Sequence, residues 1–401
     1  MLKLRRNSAV GHRSGVGERS ARIRLQKNIF VASLVCLLVV TGVAAWPFTR
    51  AHLQAVAILR IVSGQPVPWI IRKLVTEPIR TEDVNFATNA GVVRGRLYLP
   101  GGHPDAPGLV ILHGVHHLGI DEPRLENFAR AMAGCGLRVL TPELPGIKDY
   151  HVDLGSVRVI GESARWFSEQ TRGPVGVLGL SFSGGLALVA AADPMYTRDF
   201  KFVMAVGSQD EMAHVANYLT GQETRPDGTL EVLKPHEYGP LVLEYEHLED
   251  FVPTKDEAAI RPVLREHLYE EKTAETLALA KLNQQQRTEA EQLIDSDSPL
   301  TKSKLAASDL RHAPEMEQLS PHEKLRTMTT TVYLLHGQAD NIIPAAETLW
   351  MQSELPRTAL QAALVTPVLS HVNLDGAKPG ASDLLRLVHF FALVMHTAER
   401  K

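Results

Sequence analysis

One segment restricts this chain more than any other. Val175–Leu178 is a short apolar run suited to a buried strand, and it leads straight into Gly179-Leu180-Ser181-Phe182-Ser183-Gly184-Gly185. An apolar helical pattern, Gly184–Ala192, begins before that segment has ended. A chain can pass from strand to helix in so few residues only through a sharp turn, which lifts the serine hydroxyl above the sheet edge. Such a turn crowds the positions two before and two after the serine. Small residues are needed there, and Gly179 and Ser183 fill them. Gly184 and Gly185 would let the new helix approach the strand closely. Gly/Ser-rich turns of this kind also hold phosphates or simply cap helices, so the rest of the chain has to decide.

Strand-like and helical patterns alternate around that segment. Val84–Thr88, Val92–Leu99, Leu109–Leu112, Arg138–Thr141, Phe202–Val206 and Val332–Leu335 are short β-branched or apolar runs bounded by turn residues. Helical patterns cover Asp121–Ala133, with an acidic cap and Pro123 in its first turn, then Leu154–Gln170 and Ser382–His396. Near-continuous apolar strands between helices predict an α/β fold, a mostly parallel sheet covered on both faces. The first two runs join through Asn89-Ala90-Gly91, which predicts an antiparallel hairpin at one edge. Residues 209–330 interrupt the rhythm. Leu241, Tyr245, Leu248 and Val252 form one helical stripe there, and Ile260, Val263, Leu264 and Leu268 another. A structureless loop of that length is improbable, so the interval is expected to be a helical cap or lid. Its 14 acidic and six basic residues between Glu244 and Asp297 read as solvated helix faces.

A serine hydroxyl needs a neighbouring base to become a nucleophile, and the base works best when a carboxylate orients it. Val332–Leu335 leads into His336-Gly337-Gln338-Ala339-Asp340-Asn341-Ile342-Ile343-Pro344, and a later run ending at Leu364-Val365 leads to His371, before the last helix. Leu109–Leu112 leads into His113-Gly114-Val115-His116-His117. The serine turn resembles the nucleophile elbow of the α/β-hydrolase superfamily, missing G-x-S-x-G only at Ser183. The turn with Asp340 and the His113-Gly114 pair resemble that superfamily's acid turn and oxyanion loop. The chain order Ser181, Asp340, His371 is the one the superfamily uses. The resemblance covers roughly residues 83–399, with the cap outside any matched motif.

That resemblance implies a serine hydrolase. Ser181 would be the nucleophile, His371 the base and Asp340 the acid that holds it, with Asp210 as a rival acid. The amides of Val115 and Phe182 would form the oxyanion hole, while His113, Gly114, Gly179, Ser183 and Gly184 support loop and elbow. A carboxylic ester is the expected substrate, extending to lipid-like or thioester acyl groups, and no cofactor or metal is required. An exported peptidase or amidase on the same triad is the alternative, and a non-catalytic tethered binding protein a more distant one. His116 and His117 lack companions at metal-ligand spacing. His113 and His336 read as loop braces, Glu143 as part of a rim turn, and Cys135 as a buried small residue.

The net charge of -3 hides an asymmetry. Residues 1–27 carry eight Lys/Arg and one Glu, so the remainder is acidic and offers no nucleic-acid surface. Asn28–Thr49 is uncharged and almost wholly apolar from Ile29 to Phe48, long enough for a hydrocarbon core of roughly 30 Å. The basic flank predicts a single-pass anchor, N-terminus cytoplasmic and body extracytoplasmic, with a secreted or periplasmic form after signal cleavage as the alternative. The expected organisation is therefore a leader (1–27), an anchor or signal (28–49) and a connecting helical segment (50–82). A hydrolase core (83–208 and 331–401) with its cap (209–330) completes it. With 44% apolar and 22% charged residues, such a core is large enough to bury.

Overall fold

The computed structural model describes Thr41 and residues 44–221, 225–229, 233–371, 374 and 379–400. It divides into two units, Met1–Arg50 and Ala51–Lys401. In the first, Thr41 and residues 44–50 are helical. The basic leader and most of the apolar run Ile29–Phe48 fall outside the described residues. Among the described residues, no helix is long and apolar enough to cross a membrane.

The second unit opens with α1 (51–62) and α2 (Trp69–Val75), then β1 (Ile79–Thr88), β2 (Gly91–Pro100) and β3 (Gly108–Leu112). Next come α3 (Pro123–Gly134), β4 (Arg138–Pro142), α4 (Pro145–Lys148), α5 (Leu154–Thr171), β5 (Val175–Leu180), α6 (Phe182–Ala192) and β6 (Phe200–Val206). The insertion consists of α7 (Met212–Leu219), α8 (Tyr238–Glu246), α9 (Thr254–Leu268), α10 (Lys272–Leu279), α11 (Gln284–Ile294), α12 (Pro299–Leu319) and α13 (His322–Leu325). It returns to β7 (Thr331–Gly337), α14 (Ala346–Glu354), β8 (Leu360–Thr366) and α15 (Ala381–Glu399). The strands form one sheet in the order β1-β2-β4-β3-β5-β6-β7-β8. β1 pairs antiparallel with β2, and β2 with β4; every other pair is parallel.

Both faces are covered, and the period of two along each strand shows how. Val332 and Leu334 of β7 join the apolar layer beneath α5, α6 and the insertion, while Tyr333 and Leu335 join the layer under α1, α3 and α15. Ala51, Ala55 and Ile58 of α1 are fully buried in that second layer, so this segment packs on the body. Order reverses between β3 and β5, where chain connections leave to opposite sides. Ligand crevices form at such a switch point, outside the carboxyl ends of the strands.

Three local expectations need correction. The first strand begins at Ile79, five residues before the predicted Val84, because its exposed outer stretch (Ile79–Asp83) is mostly polar and is held by pairing with β2 rather than by burial. Helix α3 is capped by Glu122, whose carboxylate accepts from the Leu125 N–H at 2.8 Å, while Asp121 pairs with Arg94 and Arg96 at 2.9 and 2.8 Å. The stripe from Leu241 to Val252 is buried throughout but is not one helix. It breaks after Glu246 into a 3-10 turn, Leu248–Asp250, where the Asp250 carboxylate is taken by Ser308 at 2.8 Å and His312 at 3.0 Å. The second stripe is a continuous helix, α9, with Ile260, Val263, Leu264 and Leu268 buried.

Candidate active site

Ser181 stands between β5 and α6 with φ 57° and ψ -138°, a backbone conformation that non-glycine residues rarely adopt. Holding it there costs on the order of 1–3 kcal/mol. The surroundings enforce it. The Ser181 N–H donates to the Val206 carbonyl at 2.8 Å, and its own carbonyl accepts from the Gly184 N–H at 2.9 Å and the Ser208 hydroxyl at 2.8 Å. Glycine is required at 179, where a Cβ would stand 2.5 Å from the Gly184 backbone. The serine at 183 is no misfit. It is fully buried, and its hydroxyl donates to the His113 carbonyl at 2.6 Å, tying the elbow to the loop after β3.

Asp340 lies in the turn after β7 and is fully buried. Its Oδ1 accepts from the Ile342 and Ile343 N–H groups, both at 3.0 Å. Its Oδ2 is 2.6 Å from His371 Nδ1 and 3.3 Å from His336 Nε2. Burial alone would raise this carboxyl, but the two histidines outweigh it and hold Asp340 well below the usual carboxylate range. An ionised Asp340 can only accept, so Nδ1 of His371 carries a proton, and Nε2 is the ring position that remains to act as a base. His371 and Ser181 line the same cavity. No direct hydrogen bond joins them among the described residues; such contacts are often long in free enzymes and tighten around substrate.

The remaining predicted residues fall around this centre. His113 is buried, with Nε2 accepting from the Leu144 N–H at 3.0 Å and Nδ1 donating to the Gly114 carbonyl at 2.9 Å. Burial pushes its pKa down to about 4, so it is a neutral brace. Gly114 leaves room beside the serine: a Cβ there would lie 3.5 Å from Ser181 Cβ. Val115 and Phe182 line the cavity with Ser181, and among the described residues neither amide N–H has another partner. His336 donates from Nε2 to the Ile343 carbonyl at 2.9 Å and accepts at Nδ1 from Thr348 at 2.8 Å, a structural role. His116 and His117 stack on each other, and His117 stacks on Tyr269 of the insertion. Glu143 pairs with Lys148 at 2.7 Å and Arg94 at 3.1 Å in a rim turn. Cys135 is buried. Asp210 faces His322, not His371, and burial with Glu347 and Glu354 nearby pushes it up to about 8.

Two contributors were invisible in the sequence. Ser208 holds the Ser181 carbonyl, and only its place just after a strand end hinted at it. Tyr238 of α8 donates its hydroxyl to the Val115 carbonyl at 2.9 Å, pinning the loop after β3 from the insertion. Nothing local in an insertion marks such a residue. The cavity between these elements is about 780 Å³, lined by Ile58, Leu125, Phe128 and Phe391 towards α1, α3 and α15 and by Tyr238, Val242 and Leu268 towards the insertion.

No protein-family model and no curated protein matches the chain. Solved structures give distant likenesses. An esterase from Pyrobaculum calidifontis is 15% identical, with 87% of this chain and 91% of that chain covered and a TM-score of 0.44. The esterase domain of a Rhodothermus marinus protein is 16% identical over 79% of this chain and 98% of its own, at 0.43. A lipase candidate from Acinetobacter baumannii AYE is 16% identical over 79% and 92%, at 0.44. The strand order carries more weight than any of these. The chain is an α/β fold whose antiparallel edge, reversal between β3 and β5 and strained serine turn after β5 are consistent with the layout of the α/β-hydrolase superfamily.

Proposed function

We propose that the chain is a serine hydrolase acting on carboxylic esters, with Ser181 as nucleophile, His371 as general base and Asp340 as the orienting acid. The observation that carries this reading is the 2.6 Å contact between buried Asp340 and His371, whose ring lines the same cavity as Ser181. Each step uses groups at the carboxyl ends of β3, β5, β7 and β8. His371 Nε2 removes the Ser181 proton as Oγ attacks the acyl carbonyl, and Asp340 steadies the resulting imidazolium. The negative oxygen falls to the amides of Phe182 and Val115, where each donor is worth about 3–4 kcal/mol of barrier. His371 then protonates the departing alcohol, and a water, activated by the same ring, releases the acid and restores Ser181.

The apolar wall from Ile58 to Phe391 supports an acyl group with a substantial hydrocarbon part. The basic leader and apolar run would carry the body across a membrane; sequencing the mature N-terminus tests this, since a start at Trp46 means cleavage. For the chemistry, the purified chain is treated with a fluorophosphonate probe and assayed on p-nitrophenyl esters and the matching anilides. Labelling and ester turnover that vanish in Ser181→Ala support the proposal. A folded wild type that neither labels nor hydrolyses any ester refutes it, and preferential anilide cleavage moves the assignment to an amidase.

A further inference from the structure

We propose that Asp210, His322 and Glu354 form a binding site for one divalent transition-metal ion of the zinc type, independent of the hydrolase chemistry. They come from the loop after β6, the start of α13 and the end of α14. Asp210 Oδ2 is 3.4 Å from His322 Nδ1, and Glu354 Oε1 is 2.9 Å from the same nitrogen. All three candidate ligand atoms lie within 4.8 Å of one another. Ligands held about 2.1 Å from a tetrahedral zinc stand about 3.4 Å apart, so little movement is needed to close round an ion.

An ion triad without metal would leave polar atoms stranded. An N–H at His322 Nδ1 accounts for Asp210 Oδ2 and Glu354 Oε1, and Arg326 reaches that Oε1 at 3.6 Å. It does not account for Asp210 Oδ1 or Glu354 Oε2, which are buried without a hydrogen-bond partner. Asp210 is fully buried, and the Glu354 side chain is 8% exposed. Buried polar atoms are nearly always satisfied. Only an ion chelated by both oxygens of each carboxylate would take up Asp210 Oδ1 and Glu354 Oε2 as well as Oδ2 and Oε1, and two carboxylates with a neutral imidazole balance a divalent charge. One nitrogen among few oxygens suits zinc better than calcium or magnesium, which take six or more oxygens.

Neighbouring bonds already hold the backbone that carries two of the three ligands, Asp210 and His322. Glu347 Oε2 accepts from the N–H groups of Asp210 at 2.8 Å and Glu211 at 3.0 Å, and the His322 N–H donates to the Asp210 carbonyl at 3.2 Å. A second histidine group, His247, Glu249 and His312, fits less well. Its rings stack at 3.6 Å and 10°, so their lone pairs run side by side instead of converging, and His312 Nε2 is engaged by Asp250.

The test uses the purified full chain, stripped with a chelator and then titrated with Zn²⁺. Bound zinc is counted by elemental analysis, and affinity is read by calorimetry. We expect one Zn²⁺ per chain and a higher melting temperature. Affinity should fall roughly 100-fold or more in His322→Gln and in Glu354→Gln and stay unchanged in His312→Gln. Far-UV circular dichroism checks that each variant folds. Should the variants misfold, Co²⁺ loaded into the wild type decides the matter instead. Its visible spectrum shows tetrahedral nitrogen–oxygen ligation if the proposal holds and only the hydrated ion if it fails. Folded wild type that retains no zinc, or zinc binding that survives in His322→Gln, overturns it.

Discussion

Restoring the glycine that Ser183 displaces should damage this protein. In Ser183→Gly the 2.6 Å hydrogen bond to the His113 carbonyl is lost, and that acceptor sits on a residue only 2% exposed. Leaving a buried carbonyl without its donor costs about 1–3 kcal/mol. Glycine in the first turn of α6 adds up to about 1 kcal/mol. No strain is relieved in return, because position 183 lies within the helix and the unusual φ belongs to Ser181. The sum is a loss of about 1–4 kcal/mol, or roughly 1–6 °C in melting temperature for a body of this size. Activity should fall as well. The same bond fixes the loop that presents Val115, the proposed oxyanion donor, and misplacing such a donor should lower kcat by about 10- to 100-fold with KM little changed. Urea unfolding measures the first effect and p-nitrophenyl ester kinetics the second. Ser183→Ala serves as companion, since it removes the hydroxyl without adding glycine. A Ser183→Gly variant as stable and active as wild type would refute the reasoning.

Other expectations follow from single contacts. Tyr238→Phe removes the donor to the Val115 carbonyl, and kcat should drop by about fivefold, the equivalent of one hydrogen bond of about 1 kcal/mol; unchanged kcat would mean the loop holds itself. Glu244 is fully buried with neither carboxylate oxygen partnered, and burial, only partly offset by Lys304, pushes it up to about 8. A carboxyl raised in the folded state contributes stability that is complete below its unfolded value near 4 and is lost progressively as pH rises from there through the folded value of about 8. Glu244→Gln should therefore be more stable than wild type at pH 7 by on the order of 3 kcal/mol, with a flatter urea midpoint between pH 5 and 8; equal pH slopes would contradict this. Gly179→Ala should abolish ester turnover, since its Cβ would meet the Gly184 backbone at 2.5 Å. An active Gly179→Ala enzyme would mean that the elbow yields far more readily than its packing implies.

Much of the fold could be read from the chain because its strands are buried on both faces. Val175–Leu180, Phe200–Val206 and Thr331–Gly337 are apolar runs whose only good solution is a covered parallel sheet. The outer part of β1 escaped notice for the opposite reason: its exposed residues carry no apolar signal. The positions of Ser181, Asp340 and His371, the proposed triad, could be read as strand-end turns because local pattern and chain order agree there. Tyr238 and Ser208 were not, since each acts through a backbone carbonyl far away in sequence, and such contacts leave no periodic trace. The same holds for the pairing of Asp210 with His322, which spans the whole insertion.

The position of that insertion bears on how the protein is made. β6 is apolar and almost wholly buried, and its neighbour on one side is β7. During synthesis, the ribosome must add residues 207–330 before that neighbour exists. At roughly 5–20 residues per second, the wait is on the order of ten seconds. For that interval the half-built sheet presents a greasy, unpaired border to whatever chains are nearby. Nascent protein in this state invites chaperones or clumping, and yield on expression should respond to temperature and translation speed more than to the stability of the finished molecule.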